Sequence, residues 1–111
     1  MPQATFVHEG DFIDHTPGAD LAAGDVVVQG ELVGVATRPI PANTPGGLAV
    51  EGVFDFAKAT GGGTGITAGA LVYWDDTANQ ATTTATGNTL LGKSVKAATD
   101  TDAVVRVRLN S

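Results

Sequence analysis

The sequence predicts an all-β domain, a small β-sandwich or β-barrel with short strands and Gly/Pro-rich loops. Apolar residues recur at every second position far more often than at helical spacing, and Gly, Pro, Asn or Asp interrupts the chain every six to twelve residues. The low aromatic content of 5% indicates a core of small, mostly β-branched side chains. A chain of 111 residues is long enough for one domain, which we expect to span residues 1–111.

Alternation of apolar and polar residues places the strands. The clearest one is residues 48–56, where Leu48, Val50, Phe54 and Phe56 share one face. Residues 105–109 alternate valine or leucine with arginine, which is typical of a half-buried strand that closes a fold. The remaining strand candidates are residues 5–8, 11–15, 26–29, 32–37, 71–75, 81–85 and 90–96.

A weak internal repeat accompanies these strands. LAAGDVVVQ at 21–29 is similar to ITAGALVYW at 66–74, and each precedes a Leu-hydrophobic-Gly step, at 32–34 and 90–92. The pattern indicates either two related β-units packed face to face or chance similarity in a chain rich in Ala, Gly and Val. Between the units, residues 61–65 contain four glycines and predict a flexible loop.

Charge and composition argue against several classes of function. Twelve acidic against six basic residues give a net charge of −6, the wrong sign for direct nucleic-acid binding. The absence of Cys removes disulfides, thiolate nucleophiles and Cys-based zinc sites. The sequence has no signal-peptide pattern and no apolar run long enough to cross a membrane, so we expect a soluble product without a membrane partner or an export signal.

One string has the form of a catalytic motif. GNTLLGKS at 87–94 satisfies the P-loop pattern G-x-x-x-x-G-K-[ST] and would make Lys93 the phosphate ligand of a nucleotide hydrolase. A P-loop needs a buried strand before it and a helix after it, and the flanking sequence predicts neither. We therefore interpret the string as a Gly-Asn turn that enters a strand.

Two further groups of polar residues resemble functional sites. His8, Asp11, Asp14 and His15 are close in sequence but match no metal-ligand spacing, and we interpret them as surface groups. The pair Asp75 and Asp76 is better explained by a β-turn, WDDTANQ, than by an acid and base pair. The sequence thus predicts no catalytic residue, no metal and no cofactor.

Taken in order, five blocks of sequence resemble a known family. They are FVHEGDFIDHTPGADLAAGDVVVQGELVGVA, VEGVFDFAKA, ITAGALVYWDD, ATGNTLLGKSVKAA and AVVRVRLN. The chain resembles small tailed-bacteriophage proteins, often labelled predicted phage recombinases, that are now regarded as capsid cement or head decoration proteins. The resemblance implies a β-sandwich or β-barrel protomer that oligomerises on the outer surface of the virion and bridges neighbouring major capsid proteins. It also implies a non-enzymatic structural role and synthesis in the cytoplasm of the bacterial host.

For such a protein the expected partners are the major capsid protein and further copies of the chain, with a homotrimer favoured and a dimer possible. A short, uncharged N-terminal arm within residues 1–6, two strand arginines and one aromatic anchor are the candidate interface residues: Pro2, Gln3, Ala4, Thr5, Phe6, Trp74, Arg106 and Arg108. The two arginines are expected to be interface or salt-bridge residues. Alternatively, the arm is a frayed end, the arginines form a solvated strand face, and Trp74 and Tyr73 both cover the domain's own apolar surface. The competing function is a head-displayed adhesin for a host surface or glycan, using a loop such as residues 60–67.

Overall fold

Nine β-strands in two antiparallel sheets form the protein. A computed structural model describes Gln3 and residues 11–110, and within that part of the chain there is no helix. The four-stranded sheet has the order β1-β4-β3-β2 and the five-stranded sheet the order β5-β9-β8-β6-β7. The strands are β1 Phe12–His15, β2 Val26–Gln29, β3 Leu32–Ala36, β4 Gly46–Ala49, β5 Val53–Ala57, β6 Leu71–Asp75, β7 Gln80–Thr82, β8 Thr89–Ser94 and β9 Val104–Leu109.

The two sheets pack together as a β-sandwich, which confirms the predicted fold class. Val33 and Val35 of β3 meet the inward side chains of the five-stranded sheet in one continuous core. Apart from Phe56 and Trp74, that core consists of aliphatic side chains, as the low aromatic content predicts. A second, smaller cluster around Leu48 packs on the far face of the four-stranded sheet.

The five-stranded sheet curls strongly. Its two edge strands, β5 and β7, contact each other, and an isolated parallel bridge joins Lys58 to Ala81 just beyond β5. Strand twist that accumulates over five strands brings the edges together in this way. The sheet therefore has part of the character of a barrel within a sandwich.

The predicted single strand at 48–56 was wrong. Its residues form two strands of different sheets, β4 and β5, with a bend between them at Glu51 and Gly52. Gly52 has φ of +120°, a conformation that interrupts an extended strand and that glycine adopts without steric cost. Leu48 and Phe56 are both buried, but in the two separate clusters. Alternation alone does not distinguish one long strand from a crossover between two sheets.

The remaining predicted strands agree with the structure to within a few residues. Both bounds are as predicted at 26–29 and 71–75, and the strands predicted at 11–15, 32–37, 90–96 and 105–109 shift by one or two residues. The strand predicted at 81–85 is shorter, ending at Thr82. The strand predicted at 5–8 lies outside the described residues.

The internal repeat is present in the structure. In each unit a bridged residue, a turn with a positive-φ glycine and a strand follow one another, and the strand pairs with the Leu-x-Gly strand of the same unit. The backbone hydrogen bonds are the same in both units. In the first unit, backbone hydrogen bonds join Leu21 to Ile40, Gly24 to Ala36, and Asp25 to both Ala22 and Ala36. The equivalent bonds of the second unit join Ile66 to Ala98, Gly69 to Ser94, and Ala70 to both Thr67 and Ser94.

The equivalent faces of the two units point in the same direction. The units therefore do not face each other across the core as mirror images would. In the first unit the pair Val26 and Val35 points into the central core. In the second unit the equivalent pair, Leu71 and Lys93, points outward to solvent. The face that the first unit buries against its neighbour is therefore the face that the second unit leaves open.

Hydrogen bonds join the glycine-rich loop at 61–65 to neighbouring residues, and its predicted flexibility stays a prediction. The buried Lys58 ammonium donates to the Ala59 carbonyl at 2.7 Å, to the Asp102 carbonyl at 3.1 Å and to the Thr64 hydroxyl at 3.3 Å. The Asp100 carboxylate accepts from the Gly65 amide at 2.6 Å. A buried charge requires such oxygen partners, so the loop serves to solvate Lys58.

Asn110 connects the two sheets just after β9. Its side-chain amide donates to the Val33 carbonyl at 3.0 Å and to the Val50 carbonyl at 2.6 Å. Val33 belongs to the four-stranded sheet and Val50 to the crossover, whereas β9 belongs to the five-stranded sheet. Asn110 has φ of +56°, which asparagine tolerates better than most residues.

Replacing Asn110 by Gly should lower the free energy of unfolding by about 1–3 kcal/mol, because glycine keeps the positive φ but removes both hydrogen bonds. Urea denaturation followed by tryptophan fluorescence measures the change. Asn43→Gly is the matched control, since Asn43 also has positive φ and its side chain makes no hydrogen bond to the described residues. Equal effects of the two substitutions would contradict a role for the Asn110 amide.

Gly92 of β8 lies directly against the backbone of β9. A Cβ atom at this position would overlap the carbonyl oxygen of Arg108, and φ is +156°. At the same place the pairing of β6 with β8 shifts: Val72 opposes Gly92 and Tyr73 opposes Leu90, which leaves Leu91 as an extra residue. Glycine is required here by the neighbouring backbone as well as by its own conformation.

Gly92→Ala should destabilise the domain by roughly 2–4 kcal/mol, because the β8 and β9 backbones would have to separate. Thermal and urea unfolding measure this loss. Gly62→Ala is the control, as Gly62 has open space around it, and its effect should stay within about 0.5 kcal/mol. A Gly92→Ala protein as stable as the wild type would show that β8 and β9 do not approach this closely.

Candidate interface

The outward surface of the five-stranded sheet, here called the outer face, is the candidate functional site. Alternation along each strand turns every second side chain away from the core. The outer face comprises Val53, Asp55 and Ala57 of β5, Val104, Arg106 and Arg108 of β9, Leu90 and Lys93 of β8, Leu71 and Tyr73 of β6, and Val95 and Lys96 directly after β8.

The outer face carries most of the exposed large hydrophobic side chains of the described residues. Six large hydrophobic side chains of the described residues are exposed, and five of them belong to this face: Val53, Leu71, Leu90, Val95 and Val104. The sixth, Phe12, is on the four-stranded sheet. Single exposed aliphatic residues are common, but a concentration on one sheet face is typical of an interaction surface.

Basic side chains are concentrated on the same face. Of the six Lys and Arg residues in the chain, four belong to it, while Lys58 is buried and Arg38 follows β3 on the other sheet. Only two of the twelve acidic residues, Asp55 and Asp75, are in the strands of this sheet. Acidic side chains border these basic ones, since Glu51 and Asp11 line a hollow with Arg108, and Asp102 lines one with Lys96 and Arg106.

Strand register places basic and apolar side chains in one row across four strands. Val53 pairs with Arg108, Arg108 with Lys93, and Lys93 with Leu71. Cross-strand neighbours are about 5 Å apart, so the two cations are flanked on both sides by aliphatic groups. No carboxylate lies among the four residues of this row.

A bidentate ion pair occupies the next row. Arg106 donates through Nε to the Asp55 carboxylate at 2.9 Å and through its terminal nitrogen at 3.3 Å. This hydrogen bond holds the pKa of Asp55 below its usual value and raises that of Arg106. The pair is directly cross-strand and solvent-exposed, and it fixes the orientation of the guanidinium at the centre of β9.

A carboxylate pair lies at one end of the outer face. Glu51 and Asp11, together with Arg108, line a shallow hollow of about 410 Å³. The hydrogen bond with Asp11 and the repulsion between the two charges raise the pKa of Glu51, and Arg108 partly opposes the shift. Arg108 thus faces acidic groups at one end of its row and Lys93 at the other.

The predicted interface residues fall on different sides of the domain. Arg106 and Arg108 are on the outer face, and Arg106 forms a salt bridge, one of the two roles predicted for the arginines, while their interface role stays a prediction. Trp74 points the other way: it is 5% exposed and packs in the core, with its ring centre 6.0 Å from that of Phe56. Its interface role stays a prediction, but the ring leaves almost no surface for a partner, and the half-buried Tyr73 is the aromatic residue on the outer face.

The predicted N-terminal arm lies almost entirely outside the described residues. Gln3 is exposed in a bend, and Pro2, Ala4, Thr5 and Phe6 are not described. The contact role of all five stays a prediction.

The P-loop-like string at 87–94 does not form a phosphate-binding loop. Gly87 is in a turn and Thr89–Ser94 is β8, with Leu91 completely buried and no helix after it. Ser94, the residue that a P-loop would offer to magnesium, is buried and donates its hydroxyl to the Thr67 carbonyl. The interpretation as a turn leading into a strand is confirmed.

The two aspartates after Trp74 form the predicted turn. Asp75 accepts from the amides of Thr77 and Ala78, and Asp76 accepts from the Trp74 indole at 3.2 Å.

No group of three or more His, Asp or Glu residues suitable for a metal ion occurs in the part of the chain that the structure describes, which leaves out His8. Likewise, no helix among the described residues could span a membrane.

A further hollow is lined by residues of both sheets. It measures about 640 Å³ and is lined mainly by Val26, Val35, Phe54, Phe56 and Trp74. No Ser, Thr, His or Lys lines it, and the carboxylates that do are Asp25 and Asp55, the second of which is paired with Arg106. We find a better candidate in the outer face than in this cavity.

Sequence reasoning found the two arginines but missed their neighbours. Lys93, Leu71, Val53 and Val95 join the outer face only through the strand order and register. Alternation within a strand predicts which of its residues share a face of the sheet. It does not predict which strands are adjacent.

The Asp55–Arg106 pair should stabilise the protein above about pH 4 and lose its effect as the pH falls through the lowered pKa of Asp55. Asp55→Asn should therefore reduce the melting temperature at pH 7 and have little effect near pH 2. Calorimetry at both pH values, with Glu31→Gln in the β2–β3 turn as a control, tests this. An unchanged melting temperature at pH 7 would mean that the pair contributes nothing to stability.

Comparison with known proteins identifies the family. No curated protein and no solved structure matches the chain. A family model described as phage cement protein matches residues 7–109, nearly the whole sequence. The five sequence blocks, the all-β sandwich and this match agree, and the chain therefore belongs to the phage cement protein family, with a structural role in the phage capsid.

Proposed function

We propose that the protein binds the outer surface of an assembled bacteriophage head and stabilises it by bridging neighbouring major capsid proteins, without catalysis. The observation that carries this proposal is the family match over residues 7–109. The fold supports it, because a β-sandwich with exposed apolar and charged side chains on one sheet face suits binding by surface complementarity.

The stabilisation follows from binding alone. A protein that binds the assembled shell but not its dissociated subunits stabilises the shell by RT ln(1 + [L]/Kd), about 2.7 kcal/mol per site at one hundred times Kd. Packed DNA pushes the shell outward, and each bridge opposes the separation of two subunits. Stability of the head should rise with occupancy until the sites are filled.

Oligomerisation would strengthen such bridges. In a homotrimer, which shell geometry favours, three equivalent faces engage three capsid subunits, and the second and third contacts form at millimolar effective concentration. A dimer would provide the same advantage with two contacts. Light scattering on the free protein, with a protomer mass of 11.1 kDa, distinguishes the two states.

Empty expanded heads of the phage, prepared without this protein, provide the test. We expect the purified protein to co-sediment with them to a fixed ratio and to raise their melting temperature in proportion to occupancy, because binding favours the assembled state. Unassembled major capsid protein at the same concentration is the control, and it should bind much more weakly because it offers only one contact at a time.

Two results would count against the proposal. No co-sedimentation and no change in melting temperature would refute a capsid role for the free protein. Equal affinity for heads and for unassembled subunits would be consistent with binding to the capsid protein but would refute the bridging of neighbouring subunits.

A further inference from the structure

We infer that the outer edge of β1 binds the segment of the same chain that precedes it, and that residues 4–7 add a fifth, antiparallel strand to the four-stranded sheet. This inference goes beyond the proposed function and does not depend on capsid binding. It assigns an occupant to one sheet edge and defines which part of the N-terminus can reach a neighbouring molecule.

The backbone of β1 has hydrogen-bonding groups directed away from the sheet. β1 is an end strand, and among the described residues it pairs only with β4. The Asp11 carbonyl accepts from the Val50 amide, directly after β4, at 2.9 Å. Since hydrogen-bonded pairs alternate along an antiparallel ladder, Phe12 and Asp14 direct their N–H and C=O groups away from β4. Two donors and two acceptors are therefore available to a further strand.

The same edge leaves apolar side chains partly uncovered. Phe12 is 50% exposed and lines two hollows, of about 410 and 290 Å³. On the opposite face of β1, Ile13 packs against the smaller core cluster and stays half-buried. A strand at this edge would cover one of these side chains on each face, as cross-strand neighbours do.

The chain before β1 has the length that such a strand needs. β1 has four residues, and residues 4–7, one position before the predicted strand at 5–8, match it one for one. Residues 8–11 remain as the connection, and four-residue loops are common in β-hairpins. This connection contains a glycine and ends at Asp11, which is in a bend. Gln3, directly before the segment, is exposed in another bend.

The register set by this loop pairs apolar residues on both faces of the sheet. Val7 lies opposite Phe12, and Phe6 lies opposite Ile13. The pair next to the loop of a hairpin exchanges backbone hydrogen bonds, and Phe12 is a residue whose backbone groups face the outer edge. A two-residue loop would instead place charged or polar side chains opposite both apolar residues of β1. The four-residue loop therefore fits the edge better.

The connection favours the segment of the same chain over that of a second copy. A tether of four residues holds the segment near the edge at millimolar effective concentration, which a separate chain reaches only in concentrated solution. The added strand also closes an edge that could otherwise pair with other chains. The backbone of residues 4–7 is then used within the domain, and residues 1–3 are the part of the predicted arm that can reach a neighbour.

Amide hydrogen exchange on the full chain tests the inference. The amides of Phe12 and Asp14 should exchange about tenfold more slowly in the wild type than in Val7→Pro, because proline cannot donate to the ladder. Gln3→Pro is the matched control, since it places the same residue outside the added strand, and both rates should stay within about twofold of the wild type. The Ile13 amide faces β4 and should exchange slowly in all three proteins, which establishes that each is folded.

An isotope-filtered NOE experiment on the wild-type sequence identifies the occupant and does not depend on the folding of a variant. In an equimolar mixture of isotope-labelled and unlabelled protein, we expect the contact between Val7 and Phe12 to occur only within one chain. A segment exchanged between copies would instead give this contact between labelled and unlabelled chains.

Two results would overturn the inference. Equal exchange rates of Phe12 and Asp14 in the wild type and in Val7→Pro would mean that the preceding segment does not cover the edge. A contact between labelled and unlabelled chains would mean that a second copy supplies the strand. Neither measurement involves phage heads, so failure of the protein to bind heads would refute the proposed function and leave this inference unaffected.

Discussion

The bulge in β8 is the constraint on which the two faces of the five-stranded sheet depend. Because Leu91 is an extra residue opposite β6, both Leu91 and Gly92 lie on the buried side, and Leu90 and Lys93 lie on the exposed side. Without the bulge, strict alternation would move the side chains at one end of β8 from one face of the sheet to the other. The absence of a side chain at Gly92 lets β9 approach, which sets Arg108 beside Lys93. One backbone irregularity thus produces both the core contact of Leu91 and the basic row outside it.

The two clusters of buried residues explain why the sandwich has one sealed side and one open side. The four-stranded sheet is covered on its far face by Ile40, Leu21 and their neighbours, which pack on Leu48. The five-stranded sheet has no comparable cover among the described residues, and its outward valines and leucines meet water. Such an asymmetry costs solubility unless charge accompanies the apolar groups, and four basic side chains do so here.

The sequence was sufficient to predict the fold class, because period-two alternation and frequent turn residues are local signals. It also placed the Asp75 turn and rejected the P-loop string, since both depend on residues within a few positions. The split of residues 48–56 was missed, because a positive φ at Gly52 does not disturb the apolar pattern. The outer face was only partly found, through Arg106 and Arg108, because strand adjacency arises from contacts between distant parts of the chain.

The stacked arrangement of the two repeat units has a consequence for self-assembly. Layers that stack in the same sense have no closing symmetry, and repeated addition of copies through such a contact would produce filaments. The first unit carries Val35 where the second carries Lys93, so a further copy added in the same way would trap an ammonium group against a hydrophobic layer. The exposed Lys93 therefore disfavours open-ended stacking of copies through this contact.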